Sequence, residues 1–140
     1  MLSDFGLNIA ALAQTTIPAA GTVTTTPVTG LAGARNIAAQ AKFLYGAGGT
    51  SVKAYLQTSL DAGVTWIDIA CFAFTTSAAT KVSALQTAIA LAAAVTPTDG
   101  SLSDNTILNG LFGDRVRLKY IVVGTYTGAS SLQVDLVVRR

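Results

Sequence analysis

Residues 52–74 read VKAYLQTSLDAGVTWIDIACFAF, two apolar runs separated by a short segment rich in Ser, Asp and Gly. In the first run Val52, Ala54 and Leu56 fall on one face of an extended chain, as in a strand that buries one face. The second run, residues 66–74, is apolar on both faces, which is typical of a strand that is covered on both sides. The stretch therefore predicts a β-hairpin.

The turn of this hairpin contains Ser59, Asp61, Gly63 and Trp66 in the pattern S-x-D-x-G-x-x-W. The pattern is the Asp-box of sialidases and of several unrelated β folds. Asp61 can accept hydrogen bonds from turn amides, Gly63 can adopt a positive φ, and Trp66 can lie against the turn. A sialidase-like propeller needs several copies and a longer chain, so a single copy predicts a structural turn and says almost nothing about sugar chemistry.

The composition points to a protein whose surface is covered by other protein. The chain has 140 residues, enough for one domain with its own core. Its charged fraction is 11% and its hydrophobic fraction is 51%, with a formal net charge of +2. A typical soluble domain has roughly 25% charged residues, and a surface so poor in charge has little repulsion to keep copies apart.

The residue inventory argues against an enzyme. The chain has no His and no Glu, so the commonest general acid/base and the commonest metal ligand are missing. Cys71 lies in an apolar run with no His to activate it, which favours a buried structural thiol over a nucleophile. Asp99, Asp104 and Asp114 lack the spacing of a calcium-binding loop and favour a turn-rich surface loop. We expect no catalytic residue, no cofactor and no metal.

The N-terminal third has a composition of its own. Residues 1–34 are rich in Thr, Ala and Gly and suggest extended β structure. They are interpreted as an extended arm or first strands, either partly mobile or ordered along a neighbouring subunit, and residues 35–140 as the folded domain. No secretory signal and no membrane-spanning helix is expected, because Asp4 replaces a basic n-region and Pro18 and Pro27 interrupt the uncharged segment.

Two segments after the N-terminal third are ambiguous. Residues 36–45 fit either a strand or a short helix. Residues 79–95 contain a helical stripe, but they lack a polar helix face after Lys81, which favours one or two strands. A loop follows over residues 96–110, with a possible single helical turn capped at Ser103 or Asp104.

The alternation over residues 116–122 and 132–138 predicts a second hairpin. If Leu118 pairs with Leu136, Lys119 falls opposite Asp135 and the two charges form a cross-strand ion pair.

Two sets of polar residues remain as candidate sites. Asp68 lies beside Trp66, where its pKa could be raised, although hydrogen bonds within the hairpin are the favoured explanation. Arg115, Arg117 and Lys119 form a basic row on the exposed face of one strand. This row fits plain solvation with edge protection, a protein partner or, least well, nucleic acid, because three charges make a small phosphate footprint.

Three segments together carry a resemblance: QTSLDAGVTWIDIACFAF at 57–74, TPTDGSLSDNTILNGLFGDRVRLKY at 96–120 and GTYTGASSLQVDLVVRR at 124–140. The chain resembles small β-sandwich structural proteins of tailed bacteriophages, in particular jelly-roll cement or decoration proteins of capsids. The similarity covers roughly residues 50–140 and brings no catalytic positions with it.

The resemblance implies an all-β protein, a single antiparallel jelly-roll-like β-sandwich with an extended N-terminal arm. It implies a virion protein, made in the bacterial host cytoplasm, that binds the major capsid protein on the capsid surface. Self-association as a homodimer or another symmetric oligomer is expected, without membrane or nucleic acid as partner. The alternative is a carbohydrate-binding or tail/neck module, in which Trp66, Tyr45, Tyr55 or Tyr126 would stack on sugars.

Overall fold

A computed structural model describes residues 7–17 and 19–140, and these residues form strands and no helix. The strands are β1 (Leu7–Thr16), β2 (Gly21–Thr24), β3 (Asn36–Leu44), β4 (Ala47–Gly48), β5 (Ser51–Thr58), β6 (Ile67–Phe74), β7 (Ala79–Gln86), β8 (Val116–Val123), β9 (Tyr126–Thr127) and β10 (Ser131–Arg139).

The strands build two antiparallel sheets that pack face to face. Sheet A has the order β1-β10-β3-β7 and sheet B the order β2-β8-β5-β6, while β4 and β9 form a small separate ladder. The protein is therefore an all-β sandwich, as its sequence predicts. Among the eight main strands only β5 and β6 are neighbours both in sequence and in a sheet. This order is compatible with a jelly roll, in which Greek-key connections join two antiparallel sheets.

Alternating side chains of both sheets fill the core. In β8 and β10 every second residue is buried, from Val116 to Val122 and from Leu132 to Val138. Phe43 of β3 and Phe74 of β6 stack across the sandwich with ring centroids 5.3 Å apart. The segment 36–45, ambiguous between strand and helix, is a strand because its alternating Ile37, Ala39, Ala41 and Phe43 supply the inner face of sheet A.

The described residues before position 35 contribute one strand to each sheet. β1 pairs with β10 along its length, and β2 pairs with β8. Ile9, Leu12 and Ile17 are buried in the core. The described part of the N-terminal segment thus supplies first strands of the sandwich, and residues 1–6 and 18 of the expected arm lie outside the described residues.

The predicted hairpin of residues 116–122 and 132–138 is wrong. β8 and β10 lie in different sheets, so Lys119 is opposite Tyr55, and Asp135 is opposite Gln40. The predicted ion pair between Lys119 and Asp135 therefore does not form. The chain crosses between the sheets over residues 124–130, where β9 pairs with β4.

The segment 79–110 combines a strand with irregular chain. β7 ends at Gln86, so the preference for strand over helix is correct for residues 79–86, and residues 87–97 contain no regular element. The helical turn predicted after Ser103 or Asp104 is also wrong. Residues 98–108, which we call the strap, run along β6 instead, with a β-bridge between Ala70 and Ile107.

The strap explains why β6 is apolar on both faces. One face of sheet B packs on the core, and the strap covers part of the other, so Tyr55, Gln57 and Cys71 are buried although they point away from sheet A. The amide of Cys71 donates to the carbonyl of Thr106, and the amide of Leu108 donates to that of Ile69. The expectation that this strand is covered on both sides is confirmed.

Candidate functional site

The Asp-box turn is closed by its own side chains. The Ser59 hydroxyl donates to Asp61 Oδ1 at 2.9 Å and accepts the amide of Gly63 at 2.8 Å. Asp61 Oδ1 also accepts the amide of Thr65 at 2.7 Å. These hydrogen bonds, first of all the backbone bond from Thr65, lower the pKa of Asp61. Gly63 has a φ of 90°, which other residues resist.

Trp66 joins this turn to the basic row. A Cβ at Gly63 would lie 3.5 Å from the Trp66 ring, so the indole packs against the turn. The Arg117 guanidinium stacks on the same indole ring, with its Cζ atom 4.2 Å from the ring centroid. Trp66 is only 8% exposed, which leaves little of its ring for a ligand. The arrangement is a cation–π contact that fixes Arg117 on the outer face of sheet B.

Each cation of the basic row has an acidic neighbour. Arg115 Nε lies 2.9 Å from Asp114 Oδ1, and Lys119 Nζ lies 3.1 Å from Asp99 Oδ1. Arg117 donates from Nε to Gln57 Oε1 at 2.8 Å, and its Nη2 is 3.8 Å from Asp99. Burial lowers the pKa of Arg117. The row is therefore largely neutralised within the chain, and its use by a partner stays a prediction.

Asp68 is a buried carboxylate saturated with donors. It is 1% exposed and accepts hydrogen bonds from side chains and amides at 2.8–3.1 Å, namely from Gln57 Nε2, Thr98 Oγ1 and the amides of Gly100, Ser101 and Leu102. Only Gln57 belongs to the hairpin. The explanation by hydrogen bonds within the hairpin is thus incomplete, because the strap supplies most of the donors. Asp68 ties the strap to sheet B.

The aspartates considered for calcium do not converge. Asp104 pairs with Lys53 at 2.9 Å, whereas Asp99 and Asp114 pair with Lys119 and Arg115. Within residues 7–17 and 19–140 no three His, Cys, Asp or Glu side chains come together as a metal site would need. Cys71 is a buried free thiol whose pKa is raised by that burial. Its surroundings suit a structural role.

The aromatic residues proposed for sugar stacking are buried or half-buried. Tyr55 is 3% exposed and Tyr126 is 1% exposed, with the Tyr126 hydroxyl donating to the carbonyl of Thr75. Tyr45 is half-buried and packs edge-on against Tyr126. In the described part of the chain every Phe, Tyr and Trp side chain is buried or half-buried. Sugar-binding sites present open aromatic faces, so this surface does not resemble one.

The most unusual surface feature is a segment that lies mostly within residues 79–95, for which the sequence predicts one or two strands. Residues 88–97, AIALAAAVTP, are all exposed and carry no charge, and we call them the apolar loop. Ile89, Leu91 and Val95 are 42%, 37% and 46% exposed. Their hydrophobicity was visible in the sequence, but their exposure was not, because apolar residues normally indicate burial.

The apolar loop is anchored at both ends. At its start the amide of Thr87 donates to the carbonyl of Arg35, and the amide of Gly110 donates to the carbonyl of Gln86. At its end Thr98 exchanges hydrogen bonds with Asp68 through its carbonyl and its hydroxyl. Both ends of the loop are therefore held to the sandwich by hydrogen bonds.

Comparisons with protein-family models, with curated proteins and with solved structures found no match to this chain. The described residues include no helix with the length and hydrophobicity that a membrane crossing requires.

Proposed function

We propose that this chain is a non-enzymatic structural protein of a bacteriophage particle, which binds the outside of the capsid and cements neighbouring major capsid protein subunits. The resemblance of three sequence segments to cement proteins supports this proposal. The antiparallel sandwich adds support, because its strand order is compatible with the jelly roll that many capsid-associated proteins use.

The observation that carries the proposal is the exposed, uncharged apolar loop. A monomeric protein rarely leaves a continuous apolar segment in water unless a partner covers it. Covering the exposed parts of Ile89, Leu91 and Val95 would contribute about 1 kcal/mol for each side chain. Such a contact is modest by itself, but it is repeated at every site of a closed shell. The loop thus suits a protein that holds a lattice together by many equal contacts.

The polar residues support a binding protein over a catalyst. The carboxylate of Asp68 and the cations of the basic row are engaged by neighbours in the same chain. The alternative of a carbohydrate-binding or tail/neck module has less support, since Trp66 and Tyr126 are buried. We place the protein on the capsid surface, with the major capsid protein and other copies of itself as partners.

The test compares particles that carry the protein with particles that lack it. Mass spectrometry of purified particles should give hundreds of copies, and particles without the protein should rupture at a lower temperature. An Ile89→Asp/Leu91→Asp chain should bind with fewer copies and shift rupture towards the value of bare particles. A Val23→Asp chain is the matched control, because Val23 is 45% exposed and lies on β2, at the opposite edge of sheet B from β6, to which the end of the loop is bonded.

Two outcomes would overturn the proposal. One is an unchanged rupture temperature when the whole protein is missing. The other is a copy number of a few dozen or fewer, which would assign the protein to a neck or tail.

A further inference from the structure

The sandwich has four edge strands, and they differ in how well they are protected. The strap covers the edge of β6 through the amides of Cys71 and Leu108. β2 has only four residues, and the pairing of β1 with β10 is interrupted by two irregularities. Short and bulged strands are poor templates for another strand. β7 is different, since its register with β3 runs without a break from Ala79 to Gln86.

The free hydrogen-bonding groups of β7 can be identified from its alternation. The amide and carbonyl of Gln86 point away from β3, because they bond to Asn109 Oδ1 and to the amide of Gly110. Successive residues of a strand turn their backbone N–H and C=O groups to opposite sides. Thr80, Val82 and Ala84 therefore also turn their backbone groups away from β3. An open groove of about 350 Å³ lies beside this edge, lined by β6, β7 and the strap.

We propose that β7 pairs antiparallel with β7 of a second copy, about a two-fold axis at Val82. In this register Val82 is opposite Val82 of the second copy, and Thr80 is opposite Ala84. All three free residues are then used, and together they make about six hydrogen bonds between the copies. Sheet A continues across the axis as one eight-stranded sheet. This interface gives the structural form of the self-association that the proposed function includes. The inference therefore rests on the self-association part of the proposed function.

The exposed side chain of Val82 supports this register. Val82 is 71% exposed on a regular strand, and in the dimer the Val82 side chain of the second copy would cover it. Its neighbours on the outer face of sheet A, Ala38, Ala84 and Val137, line a shallow apolar groove that would extend towards the second copy. Lys81 is the one charged residue of β7, and in this register it lies diagonal to Lys81 of the second copy rather than directly opposite it. Each ammonium group is held in its own chain by the carbonyl of Ala73 and by Asn105 Oδ1.

The inner face of β7 adds a second, independent observation. Among the described residues Ser83 Oγ is the one buried side-chain polar atom without a hydrogen-bond partner. The proposed register puts Ser83 opposite Lys81 of the second copy. Lys81 Nζ already donates to the carbonyl of Ala73 and to Asn105 Oδ1 and has a third N–H to give. A register centred on Ser83 instead would pair Thr80 with Gln86, whose backbone is already occupied.

The test uses disulfide formation to measure the register. Directly opposite residues in a hydrogen-bonded pair have Cα atoms about 5.5 Å apart, within reach of a disulfide. Val82→Cys should therefore cross-link to itself under mild oxidation. Thr80→Cys alone and Ala84→Cys alone should not, because like residues are then offset by four residues, about 13 Å along the strand. A mixture of these two variants should cross-link. The unchanged chain is the control, since Cys71 is buried.

Sedimentation gives a second readout that does not depend on added cysteines. Val82→Arg places two cations on the axis and should raise the dimer dissociation constant at least ten-fold, whereas Val23→Arg, on the exposed strand β2, should not. A monomeric unchanged chain, or cross-linking of Thr80→Cys with itself, would overturn the interface. If such a chain still binds particles, the proposed function stands without it.

Discussion

Two aspartates of the β5–β6 hairpin show how one short carboxylate can organise a turn or anchor a whole segment. Asp61 is exposed and accepts donors only two to four residues away in sequence. Asp68 is buried and accepts amides more than thirty residues away. The same chemistry thus fixes local structure in one case and tertiary structure in the other.

The local role of Asp61 predicts a dependence on pH. Because the folded chain lowers its pKa below the ordinary 3.8, its ionised form stabilises the fold above that value. This contribution is lost as the pH falls through the lowered pKa. Asp61→Asn keeps an acceptor oxygen but no charge, so it should melt at a lower temperature than the unchanged chain at pH 6.

The difference in melting temperature between the two chains should shrink progressively below about pH 4. Thermal melts followed by circular dichroism between pH 2 and pH 7 would measure it. A constant difference over the whole range would show that the charge of Asp61 does not contribute.

At the level of elements, the strap is the part of the fold that depends most on one side chain. Asp68→Ala leaves the amides of Gly100, Ser101 and Leu102 without their acceptor. The free energy of unfolding should fall by about 3 kcal/mol or more, since Asp68 loses several hydrogen bonds and one hydrogen bond to a charged group contributes about 1.5–3 kcal/mol. Release of the strap should also expose Cys71, which is 2% exposed in the intact chain.

The rate at which a thiol reagent modifies Cys71 would measure that release. We expect Asp68→Ala to react at least ten times faster than the unchanged chain. Asp104→Ala is the matched control in the same strap, because its ion pair with Lys53 is solvent-exposed and such pairs contribute little. Equal rates in all three chains would show that Asp68 does not hold the strap.

The elements that the sequence predicts are those with local causes. The β5–β6 hairpin was predictable because Ser59, Asp61 and Gly63 specify its turn within a few residues. The pairing of β8 and β10 was not, since both strands alternate in the same way and alternation does not identify the partner strand. The role of Asp68 was hidden because backbone amides, which have no sequence signature, are its main donors.

At the scale of the whole molecule, substitutions in β1 test whether the N-terminal segment stabilises the sandwich of its own chain. Ile9→Ala should lower the free energy of unfolding by about 2–4 kcal/mol, because Ile9 is in the core. Leu7→Ala, on the same strand, should cost less than about 1 kcal/mol, since Leu7 is 51% exposed. Denaturant unfolding of the isolated chain would measure both. Equal, small effects of the two substitutions would mean that β1 does not pack into the core of the isolated chain.

The central position of β10 in sheet A has a consequence for synthesis on the ribosome. β10 lies between β1 and β3, so β1 has no partner strand, and β3 has only β7, until residues 131–139 have left the exit tunnel. Pairing of β1 with β10 closes a loop of more than one hundred residues, and such long-range pairing is slow. The apolar face of β1 therefore stays without its partner strand for most of translation, and such exposed strands promote aggregation when many copies are made at once.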